Sequence, residues 1–287
     1  MTTQATLTAP AKINLTLHIV GQRDDGYHLL DSIVAFAESG DEIQVEKALH
    51  RACGDHQLAI SGPFSKGLEA GADNLVLKAA RLFGDKLPAL DIKLVKKLPV
   101  ASGIGGGSAD AAATIKAISK LYDLPPPSAD QVLSLGADVP VCMNEKAVRM
   151  TGIGEEITGL PALPKLSIVL INPLVGVSTL AIFKALQDKN NEPLHAYPAE
   201  GWSDASDFIN WIKAGRNDLE NTAIELCRKI DICLAALASL EGIQLHRMSG
   251  SGATCFGLFR TREEADKAAA DLKAQHPDWW VMASALT

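Results

Sequence analysis

The sequence predicts an α+β protein of two domains, and three observations support this. Strand-like and helix-like segments are grouped along the chain and do not strictly alternate, which is typical of α+β folds. A chain of 287 residues holds one large domain or two ordinary ones. The stretch 159–164 has two prolines and no periodicity, so we interpret it as a connection between domains. We therefore predict domains at 1–160 and 161–287.

The composition is that of a folded protein without a general affinity for nucleic acid. Hydrophobic residues make up 47% of the chain and charged residues 21%, as in ordinary globular domains. Lys and Arg number 27 against 34 Asp and Glu, giving a net charge of −7, whereas a general nucleic-acid binder needs a basic excess. Any phosphate recognition must therefore be local. We expect no nucleic-acid partner.

Two further features indicate a cytoplasmic protein. The N-terminus is polar, Lys12 interrupts the first apolar run, and no segment is long enough to span a membrane. The five cysteines are scattered and include no Cys-x-x-Cys pair, which is typical of reduced thiols. We expect no signal peptide and no membrane partner. The sequence leaves the oligomeric state undefined.

The first element is a predicted strand over 6–20. Apolar and polar residues alternate, which is the period of a strand with one apolar face. Lys12 and Asn14 lie together on the polar face. Such a face is usually solvated, but a lysine and an amide two residues apart can also hold an anion or a hydroxyl group. We interpret this pair as part of a binding face.

A glycine turn at 21–26 leads directly to Tyr27 and His28. This pair is either core packing at the start of a strand or a stacking platform for a nucleobase, and the residues alone leave the choice open. Patterning then predicts strands over 32–37, 41–46, 57–60 and 90–98, and a helix over 75–86 capped by Asp73 or Asn74.

The most informative stretch is a glycine-rich loop between a strand and a helix. Four glycines, at 103, 105, 106 and 107, precede an Ala-rich helix predicted over 109–121. Glycines let backbone N–H groups surround phosphate oxygens, and the positive end of the helix dipole adds to the attraction. Three consecutive glycines have little structural use at such a junction. We therefore favour a phosphate-binding loop over a simple turn.

Two other nucleotide-binding motifs fit this loop less well. No Lys-Ser or Lys-Thr follows the last glycine, as a Walker A loop requires. Gly103-x-Gly105 fits a dinucleotide fingerprint, but Ser108 replaces its third glycine. Asp123 does supply a downstream acidic residue, so rejecting this motif needs a further observation.

That observation is Asp138, which follows a short helix predicted to be capped by Ser128 and to end at about Leu135, and precedes an expected apolar strand. A carboxylate in such a place is ordinarily a cap or turn residue. Phosphoryl transfer to an alcohol, however, uses a carboxylate to receive or orient the hydroxyl proton and a lysine to balance charge. A dinucleotide site explains neither Lys12 nor Asp138, so the pair favours a kinase.

The second half of the chain again groups its strands and helices. Ser178 is predicted to cap a helix that contains Phe183. A second glycine turn lies at 248–253. The remaining predicted elements are strands over 166–171, 244–247, 254–259 and 279–284, and helices over about 204–213, 218–228, 231–240 and 262–274.

Three motifs, in order, resemble the signature motifs of the small-molecule kinase superfamily that holds galactokinase, homoserine kinase, mevalonate kinase and phosphomevalonate kinase. They are Pro-Ala-Lys-Ile-Asn-Leu from Pro10, Pro-Val-Ala-Ser-Gly-Ile-Gly-Gly-Gly-Ser-Ala-Asp from Pro99, and Met-Ser-Gly-Ser-Gly-Ala-Thr from Met248. The resemblance covers nearly the whole chain, and all three motifs in register are far more specific than any one of them.

Within the superfamily, the chain is most similar to the branch whose substrate is a cytidine diphosphate-linked sugar alcohol. The resemblance implies ATP-dependent transfer of the γ-phosphoryl group to the 2-hydroxyl of that alcohol, with Mg²⁺ accompanying ATP, in the non-mevalonate route to isoprenoid precursors. It also implies a ribosomal-protein-S5-like N-terminal domain and a ferredoxin-like C-terminal domain, with the active site in the cleft between them. The stretches that decide the branch are Gly-x4-Gly-Tyr-His from Gly21, Gly-Ala-Asp-Val-Pro-Val from Gly136 and Asn-Asp-Leu-Glu from Asn217.

The resemblance also implies roles for single residues. Asp138 matches the family's catalytic aspartate, and Lys12 matches the lysine beside it. The ATP-phosphate loop corresponds to Pro99, Val100, Ala101, Ser102, Gly103, Ile104, Gly105, Gly106, Gly107, Ser108 and Ala109.

On the substrate side, Asn14, Tyr27, His28 and Thr179 match positions that contact the substrate. Phe183 matches an aromatic residue that, together with Tyr27, sandwiches the cytosine. The segment before Phe183 varies in length across the family, so these implied contacts depend on the local alignment.

Two alternatives are retained. Another kinase of the superfamily, such as homoserine or mevalonate kinase, would share the phosphate loop, but the Gly-Tyr-His stretch and Phe183 favour a cytidine pocket. A nucleotide-binding module without chemistry would need neither Lys12 nor Asp138. Asp110, in the predicted first turn of the loop's helix, either complements the helix dipole or lies near the metal, and we favour the first because carboxylates are common in first turns. Metal ligands are not identified.

Overall fold

The structure is a computed structural model that describes residues 4–84 and 87–287. It confirms the predicted α+β class. The strands are β1 (Gln4–Asn14), β2 (His18–Gln22), β3 (His28–Lys47), β4 (Gln57–Ser61), β5 (Leu90–Val95), β6 (Val148–Gly152), β7 (Glu156–Gly159), β8 (Leu166–Asn172), β9 (Leu245–Met248), β10 (Cys255–Phe259) and β11 (Trp280–Leu286). The helices are α1 (Leu75–Arg81), α2 (Gly106–Tyr122), α3 (Ala129–Leu133), α4 (Val139–Cys142), α5 (Thr179–Ala185), α6 (Ala205–Lys213), α7 (Glu220–Leu226), α8 (Lys229–Ala238) and α9 (Arg262–Gln275).

The chain divides into two compact units, and each is discontinuous in sequence. The predicted connection at 159–164 joins β7 to β8, and both strands lie in the second unit. The domain boundary at residue 160 stays a prediction. The first unit comprises the described residues of 1–11, 39–100 and 105–144, and the second comprises 12–38, 101–104 and 145–287.

The first unit contains a sheet and helices α1 to α4. Strand β5 pairs antiparallel with the C-terminal half of β3 and parallel with β4. Helix α1 begins after Asn74, whose side chain accepts a hydrogen bond from the Val76 N–H group, so one of the two predicted caps is correct. Helix α1 ends at Arg81, before the predicted end at residue 86, which lies outside the described residues. Helix α2 packs against α1 and α4, and its buried face is rich in alanine, which lets helices approach closely.

The second unit contains an antiparallel sheet in the order β3–β11–β8–β10–β9. Strands β2 and β6 pair with the N-terminal half of β3, and β7 pairs with β6. All seven residues of β8 are buried, including the polar residues Ser167 and Asn172. Helices α5, α7, α8 and α9 contribute to the core of this unit, together with Val169, Ile171 and Phe259 from its sheet.

The strand predicted over 6–20 is two strands, β1 and β2, with a break between Asn14 and His18. The reason is a change of partner in the backbone. The N–H group of Leu17 donates to the carbonyl of Arg216, and the carbonyl of Leu17 accepts from Asp218. Such a pairing, some 200 residues away along the chain, leaves no trace in a local pattern of alternation.

The strands predicted over 32–37 and 41–46 are parts of one strand, β3, which runs for 20 residues. Gly40 lies between the two predicted ranges and continues the strand. A Cβ atom at Gly40 would lie 1.9 Å from the carbonyl oxygen of Ala9. This glycine therefore permits close backbone approach and does not form a turn.

In the part of the chain that the structure describes, no helix is both long enough and apolar enough to cross a membrane. The cysteines at 142, 233 and 255 are buried. Burial raises the pKa of the Cys233 thiol to about 12 and that of Cys255 well above its ordinary value, so both are poorly ionised.

Candidate active site

The glycine loop ends at the N-terminus of α2, which begins one turn earlier than predicted. Gly105 occupies the cap position with φ of 64°, a left-handed conformation that glycine adopts without strain. A glycine has no side chain with which to cap the helix. The N–H groups of the first turn, from Gly106 to Ser108, have no acceptor within the helix and are suited to bind an anion.

Gly103, earlier in the loop, is required for a different reason. Its φ is +78°, and a Cβ atom there would lie 2.7 Å from the carbonyl oxygens of Ser249 and Gly252. The Ser249 hydroxyl donates to the Gly103 carbonyl at 3.3 Å. The Thr254 N–H group donates to the carbonyl of Ser102 at 3.2 Å. Residues 102 and 103 are therefore held against the second glycine turn, which is also the third of the motifs that resemble the kinase superfamily.

A buried ion cluster lies beside the start of α2. The ammonium group of Lys96 donates to Oδ2 of Asp110 at 2.7 Å and to Oδ2 of Asp41. The other oxygen of Asp41 accepts the N–H groups of Lys97 at 2.5 Å and Leu98 at 2.8 Å. This cluster joins the last residues before the loop to the helix that follows it.

Asp110 is not the dipole-complementing residue that we predicted. It is the fifth residue of α2, beyond the first turn, and its carboxylate is directed to Lys96. Burial raises the pKa of the Asp110 carboxyl to about 7; Lys96 lowers it and Asp41 raises it. Burial lowers the pKa of Lys96, but the two carboxylates outweigh this and the net direction is upward.

Asp138 precedes a helix, so the apolar strand expected there is a wrong prediction. Pro140 lies in the first turn of α4, a position that suits its fixed φ and missing N–H group. Asp138 occupies the cap position and is half-buried. Among the described residues, however, its side chain makes no capping bond to α4. The ordinary interpretation of a loop carboxylate as a helix cap therefore does not apply.

Lys12 and Asn14 are both buried, with 5% and 1% exposure, so the face they share is not a solvated one. The Lys12 N–H group donates to the carbonyl of Ile104 at 3.0 Å. The Asn14 side-chain amide donates to Ser32 at 2.8 Å, and its backbone N–H group donates to Ser249 at 3.1 Å. Both residues are held firmly by contacts within the second unit.

The structure brings His28 and Phe183 together, although they are 155 positions apart. Their rings stack with centroids 4.7 Å apart and planes inclined by 29°. Tyr27 is 61% exposed. Burial, followed by the charge of Lys189, lowers the pKa of His28, which favours the neutral imidazole. Thr179 begins α5, and its hydroxyl lies 2.7 Å from that of Ser251.

A metal site cannot be assigned from these side chains. The residues that the structure describes contain no group of three or more His, Cys, Asp or Glu side chains able to hold a metal ion. Mg²⁺ is commonly held by one or two carboxylates and by substrate phosphates, without a cage of protein ligands.

Comparison with known families identifies the class of protein. Residues 74–148 match the family described as the GHMP kinases N terminal domain, and residues 198–278 match GHMP kinases C terminal. The glycine loop lies within the first match, and the second glycine turn lies within the second. The chain therefore has both parts of a GHMP kinase.

Individual relatives define the family more closely. The chain is 50% identical over 277 residues to the 4-diphosphocytidyl-2-C-methyl-D-erythritol kinase of Roseobacter denitrificans, covering 95% of this chain and 90% of that protein. It is 52% identical over 274 residues to the kinase of the same name from Ruegeria pomeroyi, covering 95% of each. A crystal structure of 4-(cytidine 5'-diphospho)-2C-methyl-D-erythritol kinase superposes with a TM-score of 0.79 at 30% identity, covering 98% of both chains. The chain belongs to this kinase family within the GHMP kinases.

Proposed function

We propose that the chain transfers the γ-phosphoryl group of ATP to the 2-hydroxyl of 4-diphosphocytidyl-2-C-methyl-D-erythritol. The reaction is a step of the non-mevalonate route to isoprenoid precursors, and we place it in the cytoplasm. The observation that carries the proposal is identity of 50% or more, over 95% of the chain, to kinases named for this substrate.

ATP binds through its phosphates. The backbone N–H groups at the start of α2 donate to phosphate oxygens, and the glycines of the loop keep side chains away from them. We propose that Mg²⁺ arrives with ATP, bound mainly by the phosphates. When bound, it neutralises charge on the transferring group.

The chemistry needs one hydroxyl group held in line with the γ-phosphorus atom. Asp138 accepts the hydrogen bond of the 2-hydroxyl group and orients its oxygen for attack, and Lys12 balances the negative charge that develops. Two observations support the assignment of Asp138. The residue is half-buried, and among the described residues its side chain makes no capping bond to α4.

The base is recognised by stacking. Aromatic faces accept a nucleobase, and the His28–Phe183 stack lies next in sequence to the exposed ring of Tyr27. We assign the cytosine to these three rings, with Asn14 and Thr179 on the substrate side. Neutral His28 avoids placing a cation beside the base.

The deciding experiment measures ADP release with ATP, Mg²⁺ and 4-diphosphocytidyl-2-C-methyl-D-erythritol, with homoserine and mevalonate as parallel acceptors. Turnover with the cytidylyl substrate alone, inhibited by CDP, is the expected result. Turnover with another alcohol would retain the phosphate loop and discard the cytidine pocket. Tight ATP binding without turnover on any acceptor would favour a binding module.

Asp138→Asn tests the assigned chemistry. We expect kcat to fall about 10²-fold or more while the affinity for ATP is kept, because the amide is a poorer acceptor for the hydroxyl proton. Asp130→Asn, an exposed carboxylate on neighbouring α3, is the matched control. Near-normal turnover of Asp138→Asn contradicts the assignment.

A further inference from the structure

The Asn-Asp-Leu-Glu stretch from Asn217 to Glu220 has no part in the chemistry above, although it helped to identify the family. It lies at the start of α7, and the side chains of Asn217 and Glu220 form hydrogen bonds to the second glycine turn, residues 248–253. All of these residues belong to the second unit. The contacts indicate a specific task.

Asn217 is 7% exposed and uses both ends of its amide. Its Nδ2 group donates to the carbonyl oxygen of Met248 at 2.8 Å and to that of Gly250 at 2.9 Å. Its Oδ1 atom accepts the N–H group of Leu219 at 3.0 Å. The donors thus hold the turn, while the acceptor stabilises the local backbone at the start of α7.

Glu220 adds a third bond to the same turn. Its Oε2 atom accepts the N–H group of Met248 at 2.7 Å. Both backbone polar groups of Met248 are therefore bound by side chains of one short stretch. A turn with three such bonds has one defined position, which a run of small residues such as Ser-Gly-Ser-Gly does not provide by itself.

The same turn also contacts two residues of the proposed site. The Ser249 hydroxyl accepts from the Asn14 N–H group at 3.1 Å and donates to the Gly103 carbonyl at 3.3 Å. A Cβ atom at Gly250 would lie 2.8 Å from the same carbonyl oxygen, so the two loops are in close contact. Movement of the turn therefore shifts Gly103 and Asn14.

We propose that Asn217, with Glu220, is a positioning residue for phosphoryl transfer. Its amide holds the 248–253 turn so that Ser249 fixes Gly103 of the phosphate loop. The inference rests on the proposed function for the identity of the loop's ligand, ATP. It assigns no contact between Asn217 and ATP.

Asn217→Asp separates the two tasks of this side chain. The aspartate retains an acceptor for Leu219 but loses both donors to the turn. We expect kcat/KM for ATP to fall about 10- to 100-fold, because a small misplacement of a binding loop has that effect on rate. The control is Asn221→Asp, an exposed position of α7 that undergoes the same change of charge and should keep wild-type kinetics.

Ser249→Ala supplies the second variant, and it also serves if Asn217→Asp does not fold. If Asn217 acts through Ser249, each variant lowers kcat/KM for ATP and the double variant loses less than the product of the two effects. Glu220→Gln keeps an acceptor for Met248 and should lose less than Glu220→Ala. Independent, multiplicative effects would show that Asn217 does not act through Ser249.

A purely structural role for Asn217 gives a different result. It would lower the melting temperature and leave the kinetics of the folded fraction at wild-type values, and that outcome overturns the proposal. ATP affinity measured by calorimetry without acceptor keeps the two proposals distinguishable. An inactive wild-type enzyme would refute the proposed substrate, whereas the ATP affinities of the variants would still test the positioning role.

Discussion

The two carboxylates that share Lys96 should respond in opposite directions to loss of charge. The cluster places one positive and two negative groups in the interior, so it carries one excess negative charge. Asp41 accepts Lys96 and two backbone N–H groups. Asp110 accepts Lys96 through one oxygen, and its other oxygen is buried without a hydrogen-bond partner among the described residues.

The pKa of Asp110 gives the size of the effect. An increase from 3.8 to about 7 corresponds to roughly 4 kcal/mol against the ionised form. Asparagine keeps an oxygen for Lys96 but leaves a buried N–H group in place of the second oxygen. We therefore expect Asp110→Asn to raise the free energy of unfolding at pH 8 by about 1–3 kcal/mol.

The sign of the pH dependence follows from the raised pKa. Between about pH 4 and pH 7 the folded state binds the Asp110 proton more tightly than the unfolded chain, so wild-type stability falls as pH rises through this range. The amide of the substituted side chain does not titrate in this range. The advantage of Asp110→Asn should therefore be small at pH 5 and complete at pH 8.

Urea unfolding at pH 5 and pH 8 measures both effects. Asp41→Asn is the matched comparison, because it removes the ionised acceptor of three donors and should lose about 2–4 kcal/mol at pH 8. The reasoning is refuted if Asp110→Asn is destabilised as much as Asp41→Asn. A stability difference that does not change between the two pH values refutes it equally.

Three further variants test the loop and the pocket. Gly103→Ala should abolish ATP binding or folding, because its φ is positive and the new Cβ atom meets carbonyl oxygens at 2.7 Å; calorimetry with ATP measures this. Gly107→Ala should instead raise the free energy of unfolding in urea by about 0.5–1 kcal/mol, because alanine favours a helix and the new Cβ atom meets only Leu75, at 3.8 Å. A loss of stability contradicts this prediction. Phe183→Leu removes the stack on His28, so KM for the cytidylyl substrate should rise about 10-fold while KM for ATP stays unchanged. Equal effects on both KM values would count against the cytosine assignment.

The sequence correctly predicted structural features that depend only on residues close together along the chain. The caps at Ser128 and Ser178 are found where their side chains and the following apolar pattern placed them. The strand predicted over 166–171 and the glycine turns at 21–26 and 248–253 are also confirmed. The family resemblance, carried by motifs of six to twelve residues, predicted the kinase family without any knowledge of long-range contacts.

Contacts between distant residues account for most of what was missed. Asp41 and Lys96 are 55 positions apart, and Asn217 and Met248 are 31 apart, so neither pairing follows from a local pattern. One signal was nevertheless present. Lys96 and Lys97 are adjacent at the end of a strand and so point to opposite faces, which fits one buried and one exposed lysine.

The glycines of the loop show why a count of glycines is weaker support for phosphate binding than the position of each one. Gly105 is needed for its left-handed φ at the start of α2, and a Cβ atom at Gly106 would lie 3.1 Å from the buried ammonium group of Lys96. These two therefore have structural uses that the sequence argument denied them. Gly107 is exposed and has room for a side chain. Exclusion of a side chain from the anion site is the explanation that remains for this glycine, so Gly107 and the uncapped start of α2 carry the phosphate-binding argument.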